Sequence, residues 1–362
     1  MRLDPLPPFM ARFTHDPDNF LAAAPLTIPL FGDQQRALGC FQVFLCTNLR
    51  YEIHIRRRSD DQLVIKELQR ADASPDAQPV AKSILQALEQ KGEALRGGFD
   101  CSIVDTGLQH SGLDYSVSEA VCWTAALLAM AESPALELPL EISRIAFNTF
   151  GGISEREGIW AATELGGLVA LKGFEDQPVL AYETPLDGFI VTMTSVKPDK
   201  PIEVSAKEAT QAVNELVDGL DDGSFPSAPT DTLIGRLSGM SETNAMIGYA
   251  HTIIRDLCAE AMGLFSSNDI EPFEFARLLD EQENMRSDYL GLTTEKMIRM
   301  SERAKKAGAL ACCGFGNDGA MVIYAPRGQK SVFQTIESEG RIAIALNSGK
   351  GVCIEDVNWD DN

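Results

Sequence analysis

Along the first third of this chain apolar residues fall at every second position or in short continuous runs. The runs at 25–31 (PLTIPLF), 40–46 (CFQVFLC), 50–57 (RYEIHIRR) and 63–68 (LVIKEL) are separated by polar breaks, so each predicts a strand and together they predict an antiparallel group. Ahead of them, residues 1–23 are rich in proline and aromatics, and ARFTHDPDNFLA predicts a short helix starting after Asp16 or Pro17. The period then lengthens. Residues 80–95 carry apolar side chains at helical spacing and stop at Gly97 and Gly98, the residue type that closes helices.

FDCSIVD, at 99–105, reads as a strand that feeds a turn containing Gly107 and Gly112 and then a long apolar helix from about Ser116. Residues 137–150 predict an amphipathic helix, and another starts after Ser154, where acidic residues follow a serine. Strands follow at VALKGF and VLAYET, and FIVTMTSV, from Phe189, opens a second domain. Helical spacing dominates 208–220, 242–263, 272–286 and 294–308, with an acidic Gly/Ser/Pro linker at 221–230. The ending is strand, strand, helix, strand. The pattern predicts an α+β protein of two domains, 1–187 and 188–362.

The strand, glycine turn and helix at 99–130 have the layout of a phosphate site. Glycines let the backbone approach an anion, and the free N–H groups and positive dipole end of a helix N-terminus stabilise its charge. Ser116 or Ser118 can cap the helix, and a hydroxyl there could reach a metal-bound phosphate. An ordinary polar turn and capped core helix would give the same pattern.

Composition narrows the partners. The 362 residues are 44% hydrophobic, enough for sizeable cores, and the formal net charge of −22 leaves nothing to neutralise a polyanion, so nucleic acid is excluded as a bulk electrostatic partner. The basic run Arg56, Arg57 and Arg58 reads as a solvated strand end. Eight cysteines without a CxxC pair read as reduced core residues, and four scattered histidines encode no metal cage. No secretory leader and no apolar run of roughly 20 residues is present, so the expectation is a soluble cytoplasmic protein without a membrane partner.

Three stretches in order resemble the galactokinase branch of the GHMP small-molecule kinases. APLTIPLFGDQQRALGCFQVFLCTNLRYEIHIRRRSDD is similar to the family's opening APGRVNLIGEHTDYNGG segment and its strands. HSGLDYSVSEAV is similar to the GLSSSAA phosphate loop and helix. MRSDYLGLTTEKM through KKAGALACCGFGNDGAMVIYAP is similar to LRDDYEVSCPELD and the glycine-rich TGGGFGG strand, and FNTFGGISEREGIWA stands where the family has its VGVPSGIMDQ helix. The resemblance covers about residues 20–345. It implies a GHMP-kinase-like fold: an N-terminal mixed or antiparallel sheet domain with a phosphate loop, and a ferredoxin-like C-terminal α/β sandwich, with the active site in the groove between.

It further implies ATP with Mg2+ on the loop at Gly107, His110, Ser111, Gly112, Leu113, Asp114, Tyr115, Ser116 and Ser118. Ser116 would be the metal ligand, and Gly314 and Gly316 would belong to the closing strand. A sugar-like substrate would meet Asp33, Gln34 and Arg36, with Arg36 stabilising the transferred group and Asp33 keeping the chemical type of the family's sugar-binding acid. The departures are equally specific. Thr27 replaces the family's arginine, Asp114 and Tyr115 replace two serines, and Cys312 and Cys313 replace glycines. The position of the catalytic aspartate holds Ala161, or Ile159 in a shifted register, leaving Glu155, Glu157 or Glu164 as substitutes and Glu157 as the favoured one.

Two functions follow. One is an atypical ATP-dependent kinase acting on a hydroxyl of a small sugar-like molecule, since phosphoryl transfer asks more of alignment than of base strength. The other is a pseudoenzyme of the same fold that binds a small ligand or a protein partner without transfer. New chemistry through His110, Asp114 or Cys312 is a third.

Overall fold

The computed structural model describes residues 18–67, 77–104, 115–150, 157–171, 179–182, 186–194, 196, 202–220, 224–267, 270–315 and 319–356. The first elements are β1 (Asn19–Phe31), β2 (Gln42–Arg57), β3 (Leu63–Glu67), α1 (Ala77–Gln90), β4 (Phe99–Val104), α2 (Tyr115–Met130), α3 (Glu141–Phe150) and α4 (Glu157–Leu165). Then come β5 (Leu168–Leu171), β6 (Leu180–Tyr182), β7 (Phe189–Met193), α5 (Ile202–Val217), α6 (Thr230–Arg236), α7 (Glu242–Ser266), α8 (Pro272–Asp288) and α9 (Glu295–Lys306). The chain continues with β8 (Ala311–Phe315), β9 (Ala320–Tyr324), α10 (Gln329–Ser338), β10 (Ala343–Leu346) and β11 (Cys353–Asp356).

The class is α+β, as the periodicity predicts. One sheet has the order β11-β1-β2-β4-β3, with β5 beside β2 and β6 beside β5; the other is antiparallel with the order β10-β7-β9-β8. Two compact units form, Met1–Thr27 with Leu45–Val169 and Ser348–Asn362, and Ile28–Phe44 with Ala170–Asn347. Their limits fall inside β1, β2 and β5, so each unit draws on more than one stretch of chain.

In the first unit, α2 is apolar on every side and buried from Val117 to Met130 except at Glu119, a composition that only an enclosed helix tolerates. It packs against α1, α3, α4 and β11. Residues 348–356 return to this unit, where β11 pairs antiparallel with the start of β1 in the register Phe20↔Asp356 to Ala23↔Cys353. Backbones cross closely on the way: a side chain at Gly166 would overlap the backbone of Gly351, and one at Gly349 the carbonyl of Thr47. Arg50 Nη2 gathers the crossing by donating to the carbonyls of Ala23 at 2.9 Å and Gly351 at 2.7 Å.

In the second unit, α9 and α10 bury Met297, Met300, Val332 and Ile336 against Ile190, Met321 and Ile323 of its sheet. Phe275 meets Phe31, Phe189 and Tyr324 edge-on, geometries that suit ring quadrupoles. Among the described residues no helix is long and apolar enough to cross a membrane.

Several local expectations change. Where the sequence predicts a short helix starting after Asp16 or Pro17, Asn19–Ala22 are strand, and β11 supplies partners from Phe20 to Ala23, a pairing invisible to local propensity. The runs at 40–46 and 50–57 form one strand, β2, held through the polar middle by Thr47, whose hydroxyl donates to the Leu26 carbonyl at 2.8 Å. The helix predicted over 137–150 starts only at Glu141, after Pro139 and a left-handed Leu140 at φ 61°. β3 pairs parallel with β4, so the first sheet is mixed. Thr230 opens a helix, α6, at the end of the expected linker. The basic run is internally neutralised at Arg57 by Asp18 and at Arg58 by Asp60 and Asp100.

Candidate functional site

β4 ends at Val104 and the buried helix α2 begins at Tyr115; residues 105–114, on which the expected phosphate loop falls, lie outside the described residues. Gly107, His110, Ser111, Gly112, Leu113 and Asp114 of that loop lie outside the described residues, as do Gly316 and Glu155. At the helix entrance the structure separates three residues that the motif treats together. Ser116 is exposed in the first turn. Tyr115 is half-buried and packs edge-on to Tyr51 of β2, with centroids 5.2 Å apart and an interplanar angle of 79°. Tyr51 in turn donates to Glu119 Oε1 at 3.3 Å. Ser118 is fully buried and donates to the Pro25 carbonyl at 2.7 Å, which fastens α2 to β1. Of the two serines, Ser116 is the one presented to solvent.

Thr27, where the resemblance implies an arginine, meets α4, the helix that carries the aspartate position, without charge. Thr27 Oγ1 of β1 lies 3.1 Å from Thr163 Oγ1 of α4. Thr163 donates its own proton to the Ile159 carbonyl at 2.8 Å, so Thr27 is the donor between the two hydroxyls. Beside them the Cys46 thiol donates to the Ala162 carbonyl at 2.8 Å, and burial pushes that thiol up to about 12. Thr27, Ile159, Ala161 and Thr163 are all buried. This neutral cluster satisfies its own donors and offers no proton acceptor of carboxylate type.

Glu164, the next residue, turns elsewhere. Its Oε2 accepts from the Ser143 amide at 2.7 Å and the Ser143 hydroxyl at 2.6 Å, near the N-terminus of α3. Burial raises its pKa to about 7, against the Ser143 hydrogen bonds that hold it down. Glu164 therefore serves as a cap for a neighbouring helix. Glu157 opens α4, and for Glu157, Gln34 and Arg36 the structure describes the backbone alone.

Asp33, Gln34 and Arg36 lie together on a 3-10 turn, Asp33–Leu38, in the second unit. The turn is suspended from helices. Gln35 Nε2 donates to the His251 carbonyl of α7 at 2.8 Å, and the Cys258 thiol of α7 donates to the Phe41 carbonyl at 3.2 Å. Gly32, at φ 72°, starts the turn where a Cβ would stand 2.6 Å from the Phe41 carbonyl, so only glycine fits. In the same unit the Gly314 amide of β8 donates to Glu283 Oε2 at 2.9 Å, and Thr293 donates to the other oxygen of Glu283 at 2.7 Å. Burial pushes the Cys312 thiol up to about 12, which leaves it protonated and a poor nucleophile at neutral pH. All eight cysteines are free and buried.

No signal in the sequence pointed to Thr163, Gln282 or Glu283; each is an ordinary polar residue in a helical pattern. No protein-family model matches the chain, and no curated protein matches it. Solved structures do. The Lactococcus lactis galactokinase complexed with galactose superposes with a TM-score of 0.68 at 16% identity, covering 92% of this chain and 94% of that one. The L. major mevalonate kinase in complex with R-mevalonate gives 0.66 at 14%, covering 94% and 99%. The homoserine kinase from Cytophaga hutchinsonii gives 0.58 at 15%, covering 95% and 99%. The fold is therefore the GHMP-kinase fold. Kinases of three names match over nearly the whole chain, so the likeness does not single out the galactokinase branch.

Proposed function

We propose that this protein is a small-molecule phosphotransferase of the GHMP-kinase type, moving a phosphoryl group from ATP to a hydroxyl of a small, sugar-like acceptor. The observation that carries this reading is the start of α2: a buried helix that follows strand β4 on a GHMP-kinase fold, with Ser116 exposed in its first turn. Helix amides and dipole would hold the phosphates, and Mg2+, which supplies charge neutralisation between the phosphates, would take the Ser116 hydroxyl. The donor set fits a magnesium ion carried in by the nucleotide, because one hydroxyl and the phosphate oxygens are hard ligands. Arg36 would stabilise the transferred group, and Asp33 and Gln34 would bind the acceptor. The eight unpaired cysteines support a reducing, cytoplasmic compartment.

One observation favours a second reading, a binding protein on the same fold. Thr27 stands where the resemblance implies an arginine and bonds to Thr163, and Ala161 stands where it implies the aspartate, which is what loss of transfer with retention of fold would leave.

Thermal melting with Mg-ATP, followed by transfer of labelled phosphate to a panel of sugars and polyols, separates the two. A phosphotransferase gains melting temperature with Mg-ATP and labels a panel member, and Ser116→Ala and Arg36→Ala each depress the transfer. A nucleotide-dependent shift without transfer favours the binding protein. No shift with any nucleotide overturns the first reading.

A further inference from the structure

Gln282, at the centre of α8, does something that neither the family resemblance nor the helix pattern asks of it. Its side chain is 3% exposed, and its carboxamide reads two backbone groups at the end of β1 and just beyond it. Nε2 donates to the Leu30 carbonyl at 2.8 Å, and Oε1 accepts from the Gly32 amide at 2.9 Å. The side chain thus imitates a neighbouring strand for the last residues of β1, where the chain leaves the sheet. On its other side Nε2 lies 3.5 Å from the Cys313 thiol of β8, one residue before Gly314.

We infer that Gln282 is the positioning residue for the acceptor turn, fixing how Asp33, Gln34 and Arg36 leave β1; the inference rests on the phosphotransfer reading above. Three observations support it. A buried amide costs desolvation that an apolar residue of the same length would avoid, and it is offset only by hydrogen bonds as well aligned as these. The groups it holds flank Phe31 and include Gly32, whose left-handed φ of 72° sets the direction of the turn. The turn itself is a short 3-10 segment, a weakly self-supporting structure, so its geometry is set by the groups that grip its ends. Gln282 and Gln42, whose Nε2 donates to the Gly32 carbonyl at 3.3 Å, grip one end, Gln35 anchors the middle to α7, and Cys258 holds the chain beyond the other end at Phe41.

The test uses the full-length protein and two variants, Gln282→Met, which keeps length and loses both hydrogen bonds, and Gln282→Glu, which keeps an acceptor for Gly32. Hydrogen exchange reports the grip directly. In Gln282→Met the amides from Gly32 to Arg36 are expected to exchange about tenfold faster, with β9 and α7 unchanged, and Gln282→Glu is expected to lie between Met and wild type. Exchange at Gly32–Arg36 as slow as in wild type, or faster exchange spread evenly over the unit, overturns the inference. If Gln282→Met does not fold, Gln282→Glu carries the same comparison.

Steady-state transfer to the best acceptor of a sugar and polyol panel then reports the role. The KM for that acceptor is expected to rise about fivefold while the KM for Mg-ATP stays within about twofold, a split that general loosening would not give. An unchanged acceptor KM overturns the positioning role even where exchange has risen. Absence of transfer by the wild type overturns the phosphotransfer reading and the acceptor role with it. In that case the exchange data alone decide whether Gln282 grips the turn.

Discussion

The cluster around α4 in the first unit and the turn at Asp33–Leu38 in the second descend from one expectation, a site for phosphoryl transfer, and the chain treats them in opposite ways. Around α4 the charged positions have become threonine and alanine, buried and closed on themselves. At the turn, charged residues remain; Gln282 of α8 and Cys258 of α7 hold the backbone at Gly32 and Phe41 on either side, and the turn's own Gln35 donates to the α7 backbone. The lesson is that a buried place can lose its charges in pairs without harm to the fold, because two neutral partners that satisfy each other cost little. A turn that leaves the sheet keeps its charged residues here while other groups fix its backbone.

Restoring charge to one side of the α4 cluster should break the comparison most sharply. Thr27→Arg puts an uncompensated guanidinium where a hydroxyl lies fully buried, and is expected to lower stability by about 3–5 kcal/mol in urea unfolding. A loss below about 1 kcal/mol would mean that the cluster still has room for a charged ligand. On the turn, Gly32→Ala forces a side chain toward the Phe41 carbonyl at a left-handed φ, and about 2–4 kcal/mol should be lost by the same measurement.

Glu164 sharpens the contrast through pH. Its folded pKa of about 7 lies above the ordinary glutamate value of 4.5, so the folded state binds the proton more tightly than the unfolded one. The stability this contributes is fully present below pH 4.5 and is lost as pH rises through about 7. The wild type should therefore lose about 2–3 kcal/mol across that window relative to Glu164→Gln, whose residue 164 does not titrate. A constant difference between the two from pH 4.5 to 8 would refute the assignment. The smallest effect belongs to the middle of the turn: Gln35→Met removes the hydrogen bond to His251 and is expected to cost about 1–2 kcal/mol.

Much of the architecture was legible because it is periodic. The strands from 25 to 57, α1, the apolar α2 and the helices from α7 to α9 follow from spacing alone, and the order of separated motifs pointed to the fold. What escaped was set by partners far along the chain. Phe20–Ala23 are strand because Cys353–Asp356 lie beside them, and β2 continues through Thr47 because Leu26 accepts its hydroxyl. The site was legible in the same partial way. Thr27 and the 159–163 segment could each be matched to a family position, but nothing in either string reports that Thr27 and Thr163 meet. Gln282 is one amide among charged helix residues, and its meaning appears only with Leu30 and Gly32 beside it.

The pairing of β11 with β1 also sets a timetable for biosynthesis. Every residue of the second unit, 28–44 and 170–347, is translated before Cys353 emerges, so that unit can close on itself while the first still lacks an edge of its sheet. Until then the opening residues of β1 present unpaired backbone to whatever passes, and a chaperone or a neighbouring nascent chain has its best opportunity there.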